Sequence, residues 1–181
     1  MVEDLSLHVA DLVLNSLRAG AKRIQVSLER KGDRLTLEVT DDGRGMREEE
    51  LAQALDPFFT TKDAPHGIGL GLALVRQTAE ELGGKLEVDS APERGTRVRL
   101  SIPYRHPDRP PLGDLAGTLA PLMISASGVE FSVRLADDRG DWEFTTRELG
   151  TAGVALGPGV LSCLEERIRE GLASVGLKED E

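Results

Sequence analysis

Three polar side chains recur along an otherwise apolar segment near the start of the chain. Asp11, Asn15 and Arg18 are spaced by four and then three residues, so all three project from one face of a helix. The leucines and valines between them form an apolar surface that must pack against another element. A carboxylate, an amide and a guanidinium aligned in this way form either a solvated face or a face turned towards a ligand.

Two glycine-rich segments are the second candidate for chemistry. Asp41-Asp-Gly-Arg-Gly45 follows a predicted strand, and Gly67-Ile-Gly-Leu-Gly71 precedes a predicted helix. Glycine lets the backbone approach a ligand closely, and unpaired N–H groups at a helix N-terminus bind anions. The pattern therefore predicts a phosphate at 67–71 and a ring near Asp41. The first segment lacks the spacing of the dinucleotide fingerprint, and no Gly-Lys-Ser/Thr of a Walker loop follows the glycines.

Hydrophobic periodicity predicts the elements that would position these segments. Apolar residues at helical spacing predict helices over 4–19, 47–55 and 67–82, and alternating residues predict strands over 23–28, 35–39, 86–88 and 96–102. The strands form two hairpins, each with a helix beside it. This arrangement predicts an α/β fold, a two-layer α/β sandwich with helices on one face.

The chain is predicted to divide after this domain. Residues 1–104 form the domain, 105–111 hold three prolines and are predicted to be a linker, and 112–181 form a small acidic α+β tail packed on the main domain. In the tail, Asp137-Asp-Arg-Gly140 is predicted to be a hairpin turn rather than a cation site. Cys163, on the last predicted helix, is expected in the core.

Composition limits the classes of function. The 181 residues include one cysteine and carry a net charge of −10. A single cysteine favours a cytoplasmic compartment, and the chain shows neither a signal peptide nor the run of about 18 apolar residues that a membrane span needs. The negative charge argues against nucleic acid as a partner, because nucleic-acid binding depends on neutralising phosphates. Residues 1–105 hold 15 Lys and Arg against 18 Asp and Glu, so this nearly balanced part suits an anionic ligand better than the tail does.

Five segments, taken in order, resemble one family. They are Asp11-x-x-x-Asn15 for its N box, Asp41-Asp-Gly-Arg-Gly45 for its first glycine box, Phe58-Phe-Thr-Thr-Lys62 for its lid entry, Gly67-Ile-Gly-Leu-Gly71 for its second glycine box, and Gly95-Thr96 for its closing Gly-Thr. This is the pattern of the kinase-like ATPases, namely gyrase, Hsp90, histidine kinases and mismatch-repair proteins, which share the Bergerat ATP-binding fold. The resemblance implies that the sheet is mixed. The resemblance covers residues 5–102, and its lid and second glycine box are closest to the histidine kinase ATP-binding domain.

The resemblance implies ATP and magnesium (Mg2+) as ligands and gives each matching residue a role. Asn15 would be the magnesium ligand, because an amide oxygen is a hard donor of the kind that this cation binds. Asp41 would accept a hydrogen bond from the adenine amino group, and Thr96 would support Asp41 directly or through water. Arg18 and Lys62 would contact the phosphates. The other implied nucleotide-binding residues are Gly43, Gly45, Met46, Gly67, Gly69, Leu70 and Gly71.

Asp11 stands where the hydrolysing members of the family hold a catalytic glutamate that orients the attacking water. An aspartate keeps the carboxylate but retracts it by one methylene, which predicts slow hydrolysis or none. A histidine kinase carries its phosphoacceptor on a helical hairpin before the N box, and this chain begins almost at the N box. We therefore expect a kinase-like ATPase without an acceptor hairpin.

Three functions stay open at this point. The chain is a stand-alone kinase that phosphorylates a protein in trans, a slow ATPase whose lid switches the binding of a partner, or a module that binds ATP without turning it over. In each case the expected partners are ATP and a protein, which is either a phosphoacceptor or a partner bound through the acidic tail. A homodimer is a further prediction.

Overall fold

The computed structural model describes residues 4–56, 71–149 and 159–177. The described α-helices are α1 (Leu5–Arg18), α2 (Glu48–Ala54), α3 (Gly71–Glu81), α4 (Leu115–Ser125) and α5 (Val160–Ser174). The described strands are β1 (Arg23–Lys31), β2 (Arg34–Asp41), β3 (Lys85–Ser90), β4 (Thr96–Pro103), β5 (Glu130–Asp137) and β6 (Gly140–Thr145), with a 3-10 helix at Thr146–Leu149. None of the described helices combines the length and the apolar character needed to cross a membrane.

A single six-stranded sheet unites both parts of the chain, with the strand order β3-β4-β2-β1-β5-β6. Neighbouring strands are antiparallel except β1 and β5, which pair in parallel from Arg23↔Glu130 to Glu29↔Ala136. A parallel pair needs a long crossover connection, and here the chain returns to β5 through α4. The predicted α/β fold with a mixed sheet is confirmed, and β5 and β6 extend that sheet beyond the two predicted hairpins.

The two faces of the sheet differ in chemistry. One face carries apolar, buried cross-strand pairs such as Val26↔Val39. The other carries polar and charged side chains, such as the ion pair between Arg97 and Glu38 at 3.0 Å. Helices α1, α3 and α5 pack against the sheet, and α4 packs against both α1 and α5. The helices cover the apolar face, as the alternation along the strands predicted.

Helix α1 runs from the linker end of the molecule towards the end of β2. Asp4 caps its N-terminus, because the Oδ1 atom accepts a hydrogen bond from Leu7 N at 3.1 Å. The helix ends at Ala19, and Gly20, with a φ of 75°, turns the chain into β1. The residues of α1 that face the core are Leu5, Val9, Leu12 and Val13, and each of them is buried.

The tail packs into the same core. The inward side of α5 consists of Leu164, Ile168 and Leu172. Because this stripe repeats every four residues, Cys163 projects from another side of the helix, and it is exposed. The predicted core position of Cys163 is therefore wrong. The division of the chain into a domain, a linker and a tail stays a prediction.

The acidic segment between β5 and β6 is a turn, as predicted. The Asp137 carboxylate accepts hydrogen bonds from the backbone N–H of Arg139 at 2.7 Å and of Gly140 at 3.2 Å. Among the residues that the structure describes, no group of three His, Cys, Asp or Glu side chains is arranged to hold a metal ion.

Candidate functional site

A cavity of about 440 Å³ opens where the last turns of α1 meet the end of β2, the start of β4 and the loop 43–46. Its apolar lining consists of Leu12, Ala19, Val39, Met46, Leu72 and Val98. Its polar lining consists of Asn15, Ser16, Arg18, Asp41, Arg44 and Thr96. A concave, mostly apolar pocket with a few convergent polar groups is the usual form of a small-molecule site.

Asp41 is the buried carboxylate of this cavity, with an exposed fraction of 9%. Its Oδ2 accepts a hydrogen bond from Ser16 Oγ at 2.6 Å, and its Oδ1 accepts one from Gly43 N at 2.8 Å. Each carboxylate oxygen has two lone pairs, so both oxygens keep capacity for a further donor. A donor that enters the cavity beside Asp41 therefore meets a fixed acceptor in apolar surroundings.

Two glycines let the loop 43–46 lie directly against the turn that joins β3 to β4. Gly45 has a φ of 65°, and an added Cβ would collide with the carbonyl group of Ala91. Gly95 has a φ of 75°, and an added Cβ would collide with the carbonyl group of Asp41. The left-handed backbone and the lack of space both select glycine at these positions. Together the two glycines fix the backbone that carries Asp41.

Ser90 fastens the same loop to the sheet. Its Oγ accepts a hydrogen bond from Met46 N at 2.9 Å and lies 2.9 Å from Thr96 Oγ1. Thr96 lies opposite Asp41 in the β2–β4 register and lines the cavity. Among the described residues, Asp41 is held by Ser16 and Gly43, whereas Thr96 is held by Ser90. The support of Asp41 by Thr96 stays a prediction.

Two arginine side chains, Arg18 and Arg44, line the same cavity as Asp41. Arg18 Nη1 donates to Asn15 Oδ1 at 3.4 Å, so the amide oxygen already faces a positive group. Arg44 forms an ion pair with Glu50 at 3.2 Å. The backbone N–H of Arg47 and then the Arg44 side chain hold the pKa of Glu50 below its ordinary value. Guanidinium groups at the lining favour an anionic ligand.

Asp11 lies beside the first residue of α3. A Cβ added at Gly71 would be 3.1 Å from Asp11 Cβ and 3.4 Å from Asn15 Nδ2. The N box of α1 and the end of the second glycine segment are therefore in contact. Asp11 itself is not among the residues that line the described cavity.

Most of the predicted site residues that fall within the described ranges lie close together in the structure. Those that line the cavity are Asn15, Arg18, Asp41, Gly45, Met46 and Thr96. Gly43 is bonded to Asp41, and Gly71 packs on Asp11. The lid entry at 58–62, which includes Lys62, lies outside the described residues, as do Gly67, Gly69 and Leu70. The roles of all the predicted site residues stay predictions.

Three polar residues around the cavity were not predicted, namely Ser16, Arg44 and Ser90. Ser16 follows Leu12 by four residues and precedes Ala19 by three, so the helical spacing of the lining could have identified it. Arg44 lies between the two glycines of the first glycine segment, and this position could have identified it. Ser90 has no local signal, because its role depends on a loop 44 residues earlier in the chain.

Comparison with known protein families identifies the family of this chain. A profile of the histidine kinase-, DNA gyrase B-, and HSP90-like ATPases matches residues 2–106, which is more than half of the chain. The chain belongs to this family. The matched range contains the whole described cavity, and membership of this ATPase family implies ATP binding. The resemblance drawn from the five segments is confirmed.

Curated relatives within the family include sensor kinases. The chain is 40% identical to the nitrogen regulation protein NtrY of Azorhizobium caulinodans over 93 residues, which are 51% of this chain and 12% of that protein. It is 34% identical to the sensor histidine kinase ZraS of Escherichia coli O157:H7 over 111 residues, which are 60% of this chain and 24% of that protein. The chain thus spans less than a quarter of the length of either relative, and what they share with it is the ATPase domain.

A solved structure, the N-terminal domain of a DNA repair protein, has the same fold. It superposes with a TM-score of 0.58 at 18% identity and covers 80% of this chain and 52% of that chain. At this identity the likeness concerns the fold alone. Because the coverage exceeds the range matched by the family profile, the shared fold includes part of the tail.

Proposed function

We propose that the cavity binds ATP with the adenine ring at Asp41 and the phosphates towards Asn15 and Arg18. The buried Asp41 carboxylate, held by Ser16 and Gly43 with acceptor capacity left over, is the observation that carries the proposal. Adenine presents an exocyclic amino donor, whereas guanine presents a carbonyl oxygen at the same place. A fixed acceptor therefore favours ATP over GTP, and the apolar lining suits the faces of the ring.

Magnesium is proposed at Asn15. This ion usually keeps several waters and takes one or two protein ligands together with substrate phosphates. Asn15 lines the cavity, and its amide oxygen would become free for such an ion when Arg18, which donates to it at 3.4 Å, turns to the phosphates. Bound magnesium would neutralise phosphate charge, and Arg18 and Lys62 would add cationic contacts.

The proposed activity is that of a stand-alone protein kinase or a slow ATPase in cytoplasmic signalling. The relatives, a sensor histidine kinase and a nitrogen regulation protein, support a signalling role. Asp11, one helical turn before Asn15, provides a carboxylate to orient a water molecule or an acceptor hydroxyl. The partner would be a protein acceptor, with no nucleic acid involved.

The position of Asp11 favours a second candidate. Its side chain faces Gly71 and does not line the described cavity. A shortened carboxylate that fails to reach the terminal phosphate would leave a nucleotide-sensing module, which binds ATP without hydrolysing it and binds a partner protein through its tail.

Single-turnover incubation with γ-labelled ATP and magnesium separates the two candidates. We would compare the wild type with Asp11→Ala, Asp11→Glu and Asn15→Ala, using Gln77→Ala as the control. Gln77 is an exposed amide on α3 that contacts Glu81 and does not line the cavity. Circular dichroism would establish that each variant is folded.

Release of phosphate by the wild type that falls about 100-fold or more in Asp11→Ala would support turnover with Asp11 as the orienting group. Binding without release, with release gained in Asp11→Glu, would exclude a working ATPase and support either the sensing module or a kinase that still needs its protein acceptor. Asn15→Ala is expected to lose magnesium-dependent binding of ATP while Gln77→Ala keeps it. A folded wild type that binds no ATP would contradict both candidates.

A further inference from the structure

Helices α1 and α3 meet at two places. Asp11 and Asn15 of α1 lie against Gly71 of α3, and His8 of α1 lies against Thr78 of α3. The residues at Gly71 come later than His8 on α1, whereas Gly71 comes earlier than Thr78 on α3. The two helices therefore run antiparallel, with one contact near the proposed phosphate end and the other about two turns further along α3.

The contact at Gly71 has no room for a side chain. A single added carbon would lie 3.1 Å from Asp11 Cβ, which is closer than ordinary van der Waals contact. The backbone at the start of α3 therefore lies directly beside Asp11 and Asn15, and a displacement of α3 would change the space around both side chains. These two side chains belong to the proposed phosphate end of the site.

The contact at Thr78 is polar and buried. His8 Nε2 lies 2.9 Å from Thr78 Oγ1, and the exposed fractions of the two residues are 1% and 6%. Among the described residues, this is the one side-chain hydrogen bond that joins α1 to α3. Apolar contacts are non-directional, whereas a hydrogen bond fixes both a distance and an angle. The pair can therefore fix the rotation of α3 on α1 in a way that the surrounding leucines and valines cannot.

The surroundings of the imidazole are consistent with a neutral ring. Burial lowers the pKa of His8, and the carboxylates of Asp11 and Asp4 on the same helix oppose that shift in part. The charged side chains of α3, namely Arg76, Glu80 and Glu81, are exposed. Helix α4, which also packs on α1, contains no titratable residue.

We propose that His8 and Thr78 are a positioning pair, which sets the first turn of α3 against Asp11 and Asn15 and thereby the binding of the terminal phosphate. This inference rests on the proposed function. It predicts a selective effect, because the groups that hold Asp41 are Ser16 and Gly43, neither of them in α3, and α3 contributes only Leu72 to the lining of the described cavity. The adenine end should stay intact when the pair is broken.

Calorimetric titration of the full chain with Mg·ATP and with Mg·ADP tests the pair. Thr78→Val keeps the shape of the side chain and removes the hydroxyl, so His8 loses its partner. We expect the affinity for Mg·ATP to fall about tenfold, while the affinity for Mg·ADP stays within about twofold of the wild type. Thr78→Ser and His8→Gln retain a hydrogen-bonding group near the same atoms and should keep the wild-type ratio.

Thr118→Val is the matched control. Thr118 Oγ1 donates to Ser6 Oγ at 3.2 Å, so this variant removes a hydroxyl contact between α1 and α4 without touching α3. It should leave the ratio of ATP to ADP affinity unchanged. Should Thr78→Val fail to fold, His8→Leu carries the same test, because it replaces the imidazole with apolar volume.

The outcomes separate the inference from the proposed function. A wild-type ratio in folded Thr78→Val, or an equal loss of both nucleotides, would overturn the positioning role and leave ATP binding in place. The same change of ratio in Thr118→Val would also overturn it. A wild type that binds neither nucleotide would overturn the proposed function and this inference together.

Discussion

The ends of strands β2 and β5 have almost the same sequence but differ in the hydrogen bonds that they form. Strand β2 ends in Asp41-Asp-Gly-Arg, and β5 ends in Asp137-Asp-Arg-Gly140. In both segments the first aspartate accepts a hydrogen bond from a backbone N–H two residues later. The two aspartates differ in the hydrogen-bond partner of their second carboxylate oxygen, Oδ2. In Asp41 it reaches Ser16, 25 residues earlier in the chain, whereas in Asp137 it accepts from Arg139 Nε at 2.9 Å.

The difference lies in what covers each strand end. Helix α1 places a neutral hydroxyl over Asp41 and leaves a cavity beside it. Burial alone would raise the pKa of Asp137, but the hydrogen bonds from the side chain and backbone of Arg139 outweigh it and hold that pKa below its ordinary value. The Asp137 carboxylate is thus satisfied by its own turn. The second oxygen of Asp41 is therefore bonded by a neutral group on a remote helix, whereas that of Asp137 is bonded by a cationic side chain of its own turn.

The largest expected contrast concerns the glycines of the two turns. Gly45→Ala puts a Cβ into the carbonyl group of Ala91 at a left-handed φ, whereas a Cβ at Gly140 meets nothing within 4 Å. We expect Gly45→Ala to lower the free energy of unfolding by about 2–4 kcal/mol and Gly140→Ala to change it by less than about 1 kcal/mol. Urea titration followed by circular dichroism measures both. Equal losses would show that the close approach at Gly45 is not needed for stability.

The next contrast concerns nucleotide affinity. Asp41→Asn removes the charge and one of the two acceptor oxygens in the cavity, so the affinity for ATP should weaken by about 1–3 kcal/mol. Asp137→Asn changes the same group in a turn that does not line the cavity, and ATP affinity should stay unchanged. Calorimetry gives both values. An unaltered affinity in Asp41→Asn would remove that residue from the ligand site.

A smaller effect is expected at the serine that distinguishes the two carboxylates. Ser16→Ala leaves one Asp41 oxygen without its 2.6 Å partner, and ATP affinity should fall by about 1 kcal/mol. Ser125 is the matched control, because its hydroxyl donates to Leu122 O within α4 and lies away from the cavity. Fluorescence competition with a labelled nucleotide would measure both variants. Equal affinities in the two would mean that Ser16 serves only helix packing.

The smallest expected effect is a pH dependence of the free energy of unfolding, to which His8 of α1 and Asp137 at the end of β5 contribute in different pH ranges. Burial lowers the pKa of His8 below its ordinary 6.5, so the unfolded chain binds a proton there before the folded protein does. Its contribution to stability is therefore present above pH 6.5 and is lost as the pH falls below that value. The pKa of Asp137 is also lowered, from an ordinary 3.8, so its contribution is lost only in more acidic solution.

Urea titrations at several pH values between 7.5 and 5 measure this dependence. The free energy of unfolding should decrease over that range in the wild type, and the slope should be smaller in His8→Gln. Asp137→Asn should keep the wild-type slope there. An identical slope in His8→Gln would assign the dependence to another group.

Sequence patterns predicted much of the fold. Periodicity predicted the two hairpins and their helices. The family resemblance named Asn15 and Asp41, which both line the described cavity, while their roles stay predictions. Spacing could not predict that β5 pairs with β1, because strand pairing across about 100 residues depends on where α4 directs the chain. Helical spacing could have placed Ser16 in the lining but not its hydrogen bond to Asp41, 25 residues later, and Ser90 has no local signal at all.

The most direct test of the account is the nucleotide selectivity of the wild-type protein. Mg·ATP and Mg·GTP would be titrated calorimetrically into the full chain, and both titrations repeated with Asp41→Asn. The account predicts that ATP binds, that GTP binds at least about tenfold more weakly, and that Asp41→Asn narrows this difference. Equal binding of the two nucleotides by the wild type would contradict the assignment of Asp41 as the adenine acceptor.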